Sequence, residues 1–156
     1  MSEYTFAIVN GHEWHDRLEP LYKQHYAEMQ ARLKSDGVPL GPYKPNLRDY
    51  HAAMDSGLMA TFIVTFGETV VGYSNIWITP DMHSQELIAS EDTIYMLPEH
   101  RNGTGKKLAK FILAELGSRG VKRVNISPVT DLRVGKIWQR MGFKPVAQLM
   151  TYTFGA

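Results

Sequence analysis

The sequence predicts a mixed α/β domain, and three observations carry that reading. Strand-like and helix-like periods follow one another in the order β-α-α-β-β-β-α-β-α-β. Two long apolar runs flank "GE" at 67–68, the mark of a tight β-hairpin. No repeat, low-complexity tract or linker interrupts the 156 residues, a length that suits one domain, 1–156, with a core of its own.

The elements are justified in chain order. Tyr4 to Val9, "YTFAIV", is short, apolar and partly β-branched, and "NG" closes it as a first strand. From His12 the period changes: Leu18, Leu21, Tyr22, His25, Tyr26, Met29 and Leu33 recur at steps of three and four, giving a helix in which Pro20 suits a start or a kink. "KSDGVPLGPYKPN" over 34–46 reads as a long loop, and a short helix over Leu47 to Ser56 ends at Gly57. "LMATFIVTF" and "TVVGYSNIWIT" form the hairpin, and Ile88 to Leu97 hold the next strand. Leu108, Phe111, Ile112 and Leu116 mark an amphipathic helix from Thr104 to Ser118, stopped by Gly120. "VKRVNISPV" alternates as a strand, Asp131 caps a further helix ending at Gly142, and "FKPVAQLMTYTF" reads as a last strand.

Composition narrows the chemistry. Seventeen Lys and Arg against sixteen Asp and Glu give a net charge of +1, which speaks against a dedicated nucleic-acid binder even though "HRNGTGKK" is locally basic. Zero cysteines exclude disulfides, thiolate metal sites and a cysteine nucleophile. His83 and His100 lack the spacing of a metal site, so a metal-free protein is expected. No apolar run approaches the ~20 residues of a membrane span, and "MSEYTFAIVNG" lacks an export signal, which makes the cytoplasm the expected setting.

The most informative stretch is "YMLPEHRNGTGKKLAKF", residues 95–111. A helix beginning near Thr104 exposes unpaired N–H groups and its positive dipole end toward the preceding loop. Gly103 and Gly105 let the backbone approach a ligand, while Arg101, Lys106 and Lys107 add charge, a combination suited to a diphosphate. The loop is too short for a nucleoside-triphosphate P-loop and lacks the third glycine of a dinucleotide fold.

In order, the strand, "LPEHRNGTG", the amphipathic helix, "VNISPV" and "WQRMGF" resemble the GNAT superfamily of N-acetyltransferases over about Leu58 to Phe154. "HYAEM" and "PDMHSQELIASEDTIYMLPEHR" further resemble a GNAT branch common in bacteriophages. The resemblance implies a central mixed, mostly antiparallel sheet of six or seven strands flanked by about four helices. It also implies acetyl-CoA as co-substrate, with Met96, Leu97, Arg101, Asn102, Gly103, Thr104, Gly105, Lys106 and Lys107 at the cofactor, and a backbone N–H near Met96 polarising the thioester carbonyl.

Two positions depart from the family's pattern. His100 stands in the loop's usual Arg/Gln slot with Arg101 one place later, and Trp138 stands where a tyrosine often protonates the departing thiolate. Glu91 and Asp92, at the start of the strand leading into the loop, where the family often keeps an acid, are the candidate general bases, with Asp92 the first choice. Because adjacent strand residues face opposite sides, only one of the two can face the cleft. Tyr95, Tyr152 and Tyr43 are the candidate acids, and His25 with Glu28 at i, i+3 is a candidate acceptor-pocket pair. With no cysteine, direct transfer to a primary amine in a ternary complex is the expected reaction. The acceptor is a small molecule or a protein amine, a homodimer stays open, and a non-catalytic acyl-CoA-binding module is the alternative.

Overall fold

A computed structural model describes residues 3–128 and 133–155. In chain order the elements are β1 (Tyr4–Val9), α1 (Gly11–Ser35), α2 (Leu47–Asp55), β2 (Met59–Phe66), β3 (Thr69–Pro80), β4 (Leu87–Met96), a 3₁₀ turn (Pro98–His100), α3 (Thr104–Ser118), β5 (Arg123–Asn125) and α4 (Val134–Arg140). The chain divides into two compact units, residues 1–22 with 45–126, and residues 23–44 with 127–156.

The first unit holds the whole sheet, in the order β1-β2-β3-β4-β5. The first four strands pair antiparallel with their neighbours, and β5 runs parallel to β4. A mixed, mostly antiparallel sheet is therefore present, as expected. The β2–β3 hairpin closes on Gly67 and Glu68, with Phe66 opposite Thr69.

Both faces of this sheet are covered, which explains the unbroken apolar run of β2. Phe62 and Val64 pack with Val71, Leu108, Ile112 and Leu116 in one cluster that includes α3. Ile63, on the opposite face of the strand, packs with Leu18 and Leu21 of α1 and with Val70, Tyr73 and Tyr95. Leu18, Leu108 and Leu116 are fully buried, and each such side chain contributes ~1.5–3 kcal/mol by leaving water. Gly72 lies opposite Met96, and a Cβ there would sit 2.2 Å from the Met96 sulfur, so the close passage of β3 and β4 needs a glycine.

In the second unit Tyr26 and Gln30, on the later turns of α1, both donate to the Gly41 carbonyl at 2.8 Å, tying the long loop to its helix. α1 is assigned as one helix through Pro20, which neither starts it nor breaks it. Trp138 of α4 is buried and meets the Phe143 ring at 5.5 Å. The expected cap of α4, Asp131, lies outside the described residues.

Two expectations need correction. Among the described residues the sheet has five strands, not six or seven, and "FKPVAQLMTYTF" forms none. Val146, Leu149, Met150, Tyr152 and Phe154 are all exposed, so neither face of that segment is buried. Strand propensity reflects fit to a half-buried surface with a paired neighbour, and without one an apolar alternating segment has nothing to hold it extended.

Candidate functional site

The loop between β4 and α3 ends in a helix start that no side chain caps. Gly103, at φ +92°, is the N-cap of α3 and offers no side chain to satisfy the helix's first N–H groups. A Cβ on Gly103 would meet nothing within 4 Å, so the space beside the loop is open. The first turn of α3 carries no acidic residue, and Lys106 and Lys107 are exposed. Thr104 is buried and donates to the Asn102 side chain at 2.7 Å, which fixes the turn from within. The result is a helix start with positive potential and unclaimed donors.

Beside the loop, β4 has one unpaired edge. β5 pairs with it only through Ile88, Ala89 and Ser90, so from Glu91 to Met96 no described strand occupies that side. Leu97 donates to the Val71 carbonyl at 2.9 Å. The alternation of an antiparallel ladder then turns the N–H and C=O of Met96 away from β3, toward the open edge. The Met96 carbonyl accepts from Arg101 Nε at 2.8 Å, and the Arg101 guanidinium lies 5.3 Å from the Tyr95 ring centre. The Met96 amide thus faces the open edge, whereas the Leu97 amide is spent on β3.

His100, at the end of the 3₁₀ turn, packs toward β1 and β2. His100 Nδ1 shares a 2.8 Å hydrogen bond with the Tyr4 hydroxyl, and its ring meets Tyr4 and Phe66.

Asp92 sits at an irregularity. Asn75 pairs with Thr93 and Ile76 with Glu91, so Asp92 is an extra residue in β4 and forms a β-bulge. Strict alternation between Glu91 and Asp92, the basis for expecting only one of them to face the cleft, does not apply across a bulge. Tyr50 of α2 donates to Asp92 Oδ2 at 2.7 Å, and Trp77 of β3 donates through Nε1 to Oδ1 at 3.4 Å. Both oxygens of the half-buried carboxylate are fixed by neutral donors from two other elements.

The other candidates lie as follows. Tyr95 is buried in the cluster with Leu18, Leu21, Ile63 and Tyr73. Tyr152 is exposed, and Tyr43 meets Tyr26 within the second unit. His25 is buried and Glu28 half-buried on the part of α1 that belongs to the second unit. Among the described residues no group of three or more His, Asp or Glu could hold a metal.

Tyr50 and Trp77 were not singled out by sequence reasoning. They lie 42 and 15 residues from Asp92, and only strand register and helix placement bring them to it. A second buried polar set was legible only as odd letters in apolar strands: Thr61 donates to Asn75 at 2.8 Å, Asn75 reaches the Tyr22 hydroxyl at 3.4 Å, and Ser74 donates to the Thr93 carbonyl at 2.7 Å. Nearby, burial pushes the Tyr73 phenol well above its usual range.

Comparison with known proteins places these features in a lineage. The sequence profile of the acetyltransferase (GNAT) family matches residues 13–143. No curated protein matches the chain in sequence. Among solved structures, a ribosomal-protein-alanine N-acetyltransferase from Brucella melitensis biovar Abortus 2308 superposes with a TM-score of 0.73 at 13% identity, covering 98% of this chain and 100% of that one. An aminoglycoside acetyltransferase from an uncultured soil metagenomic sample gives a TM-score of 0.71 at 12% identity, covering 99% and 96%. A GCN5-related N-acetyltransferase from Ralstonia eutropha JMP134 gives 0.65 at 16%, covering 99% and 100%. At such identities these likenesses speak for the fold.

Proposed function

The chain belongs to the acetyltransferase (GNAT) family, and we propose that it moves an acetyl group from acetyl-CoA directly to a primary amine in a ternary complex, as one domain formed by residues 1–156. One observation carries the cofactor assignment: the uncapped start of α3 behind Gly103, with open space beside it, adjoins the unpaired edge of β4 at Met96. The amides of Thr104, Gly105 and Lys106, with Lys106 and Lys107 nearby, suit the pyrophosphate, and the Met96 N–H suits the thioester oxygen. Asn102 and Arg101 hold the loop and β4 in that shape through Thr104 and the Met96 carbonyl.

In this reading the amine nitrogen attacks the thioester carbon, its surplus proton passes to the Asp92 carboxylate, and the C–S bond breaks to release CoA thiolate. That thiolate then takes a proton from solvent. Thiols ionise near pH ~8.5, so departure without a dedicated acid is reasonable near neutrality, which fits Trp138 in place of a tyrosine. With no cysteine in the chain, an acetyl-cysteine intermediate is excluded.

An amine acceptor is supported by the names of two fold neighbours, one acting on a ribosomal-protein alanine and one on an aminoglycoside. A screen of CoA-thiol release against protein amines, polyamines, aminoglycosides and small metabolite amines tests the proposal. Turnover with at least one class is expected; no release above solvent hydrolysis with any of them would overturn it.

A further inference from the structure

We infer that Tyr50, Trp77 and Asp92 form the acceptor's recognition site, and that it selects an aliphatic ammonium cation over neutral or anionic groups of the same shape. The inference rests on the acetyl-transfer reading for its biological meaning but on its own geometry for its existence.

Three features converge. First, both Asp92 oxygens are held by neutral donors, and among the described residues no cation pairs with this carboxylate. A half-buried carboxylate held only by neutral donors has no counter-charge among the groups that touch it, and an incoming cation supplies one. Second, the donors are the polar tips of two aromatic side chains whose rings are nearly parallel, 25° apart, with centroids separated by 6.5 Å. A cation lodged against both rings beside the carboxylate can lie within the ~6 Å of each centroid over which an aromatic ring attracts a positive charge. Third, the bulge at Asp92 interrupts β4 within the segment that β5 leaves unpaired.

These residues come from α2, β3 and β4 of one unit, so the site is complete within it. Each is half-buried, which shields the charge from bulk water without closing it off. A neutral group of equal size gains the ring contacts but leaves the carboxylate unpaired, and an anion is repelled. The same carboxylate that binds the ammonium is then placed to take one proton from it and pass that proton to solvent, which leaves the carboxylate free for the proton the nitrogen sheds after attack.

The test uses a cation that cannot be N-acetylated. Choline and its uncharged isostere 3,3-dimethylbutan-1-ol are titrated into the protein by calorimetry and as competitors of an amine acceptor in the CoA-release assay. Choline is expected to bind at least ten times more tightly than the isostere. Asp92→Asn should erase that preference, and Trp77→Leu and Tyr50→Leu, one from each wall, should each weaken choline at least tenfold. Tyr50→Phe, which keeps the ring and removes only the hydroxyl, should cost less than Tyr50→Leu. Circular dichroism confirms that each variant is folded, and the two walls give independent variants should one fail to fold. Equal binding of choline and the isostere, or binding of neither, overturns the ammonium site even if acetyl transfer proceeds. Choline selectivity without turnover on any amine supports the site and overturns the transfer reading instead.

Discussion

Gly103→Val separates what the loop does for the fold from what it does for the ligand. Gly103 is held at φ +92°, where an L-residue pays ~1–2 kcal/mol in sterics, and more if β-branched. Since the added Cβ meets no protein atom within 4 Å, no packing clash adds to that strain. For a chain of 156 residues, 1–2 kcal/mol lowers Tm by ~2–8 °C, so the variant should remain folded at 25 °C. The two new methyl groups project into the open space beside the α3 amides, where the pyrophosphate is proposed to lie. Acetyl-CoA affinity should therefore fall at least tenfold, ~1.4 kcal/mol, by calorimetry on protein shown to be folded. Gly103→Ala, with less strain and less bulk at the same positive φ, should melt somewhat above the valine variant and bind acetyl-CoA more tightly than it does. Unchanged affinity in folded Gly103→Val would remove the loop from the cofactor site.

Asp92→Asn should lower turnover by roughly 10²-fold while leaving acetyl-CoA affinity within about twofold, as expected when a base acts on the amine and not the cofactor. Glu91→Gln is the paired control in steady-state kinetics, and if it alone did the damage the two acids would exchange roles. Trp138→Phe should cost about 1–3 kcal/mol in urea unfolding, since it shrinks a buried ring packed on Phe143, and less than roughly tenfold in turnover. A complete loss of activity with fold and CoA binding intact would give Trp138 a direct part in the chemistry. Acid should destabilise the junction of α1 and α2: burial, then the charges of His12 and His15, hold the His51 imidazole below its usual 6.5, with Asp55 opposing. The unfolded chain then binds more protons than the folded one as pH drops below 6.5, so this contribution is fully present above 6.5 and is lost as pH falls through the lowered folded value. Urea unfolding at pH 7.5 and 5.5 should show a decrease that His51→Asn reduces, and an identical decrease in that variant would acquit His51.

What the sequence made legible was whatever depends on local period and local chemistry. The β2–β3 hairpin, the α3 face of Leu108, Ile112 and Leu116, and the glycine at the α3 cap are each specified within a few residues, so reading along the chain finds them. The tail from Phe143 to Phe154 misled for the complementary reason. Its letters satisfy strand propensity, but a strand is a relation to a neighbour, and the letters do not say whether one is there.

The surroundings of Asp92 were illegible for a related cause. A bulge shifts register by one residue, which suspends the two-residue period at that point, and nothing in "IASEDTIYM" announces it. Tyr50 and Trp77 meet there because the helix α2 is placed against a sheet whose order brings β3 beside β4. The proposed general base falls where the local rule fails: Asp92 is the one β4 residue that breaks strand alternation, held by donors 42 and 15 positions away. An acid at the start of a strand reads as an edge charge until such long-range donors are known. Its two neutral hydrogen bonds and its missing counter-ion are what turn it from a solvated edge charge into a site that selects a cation.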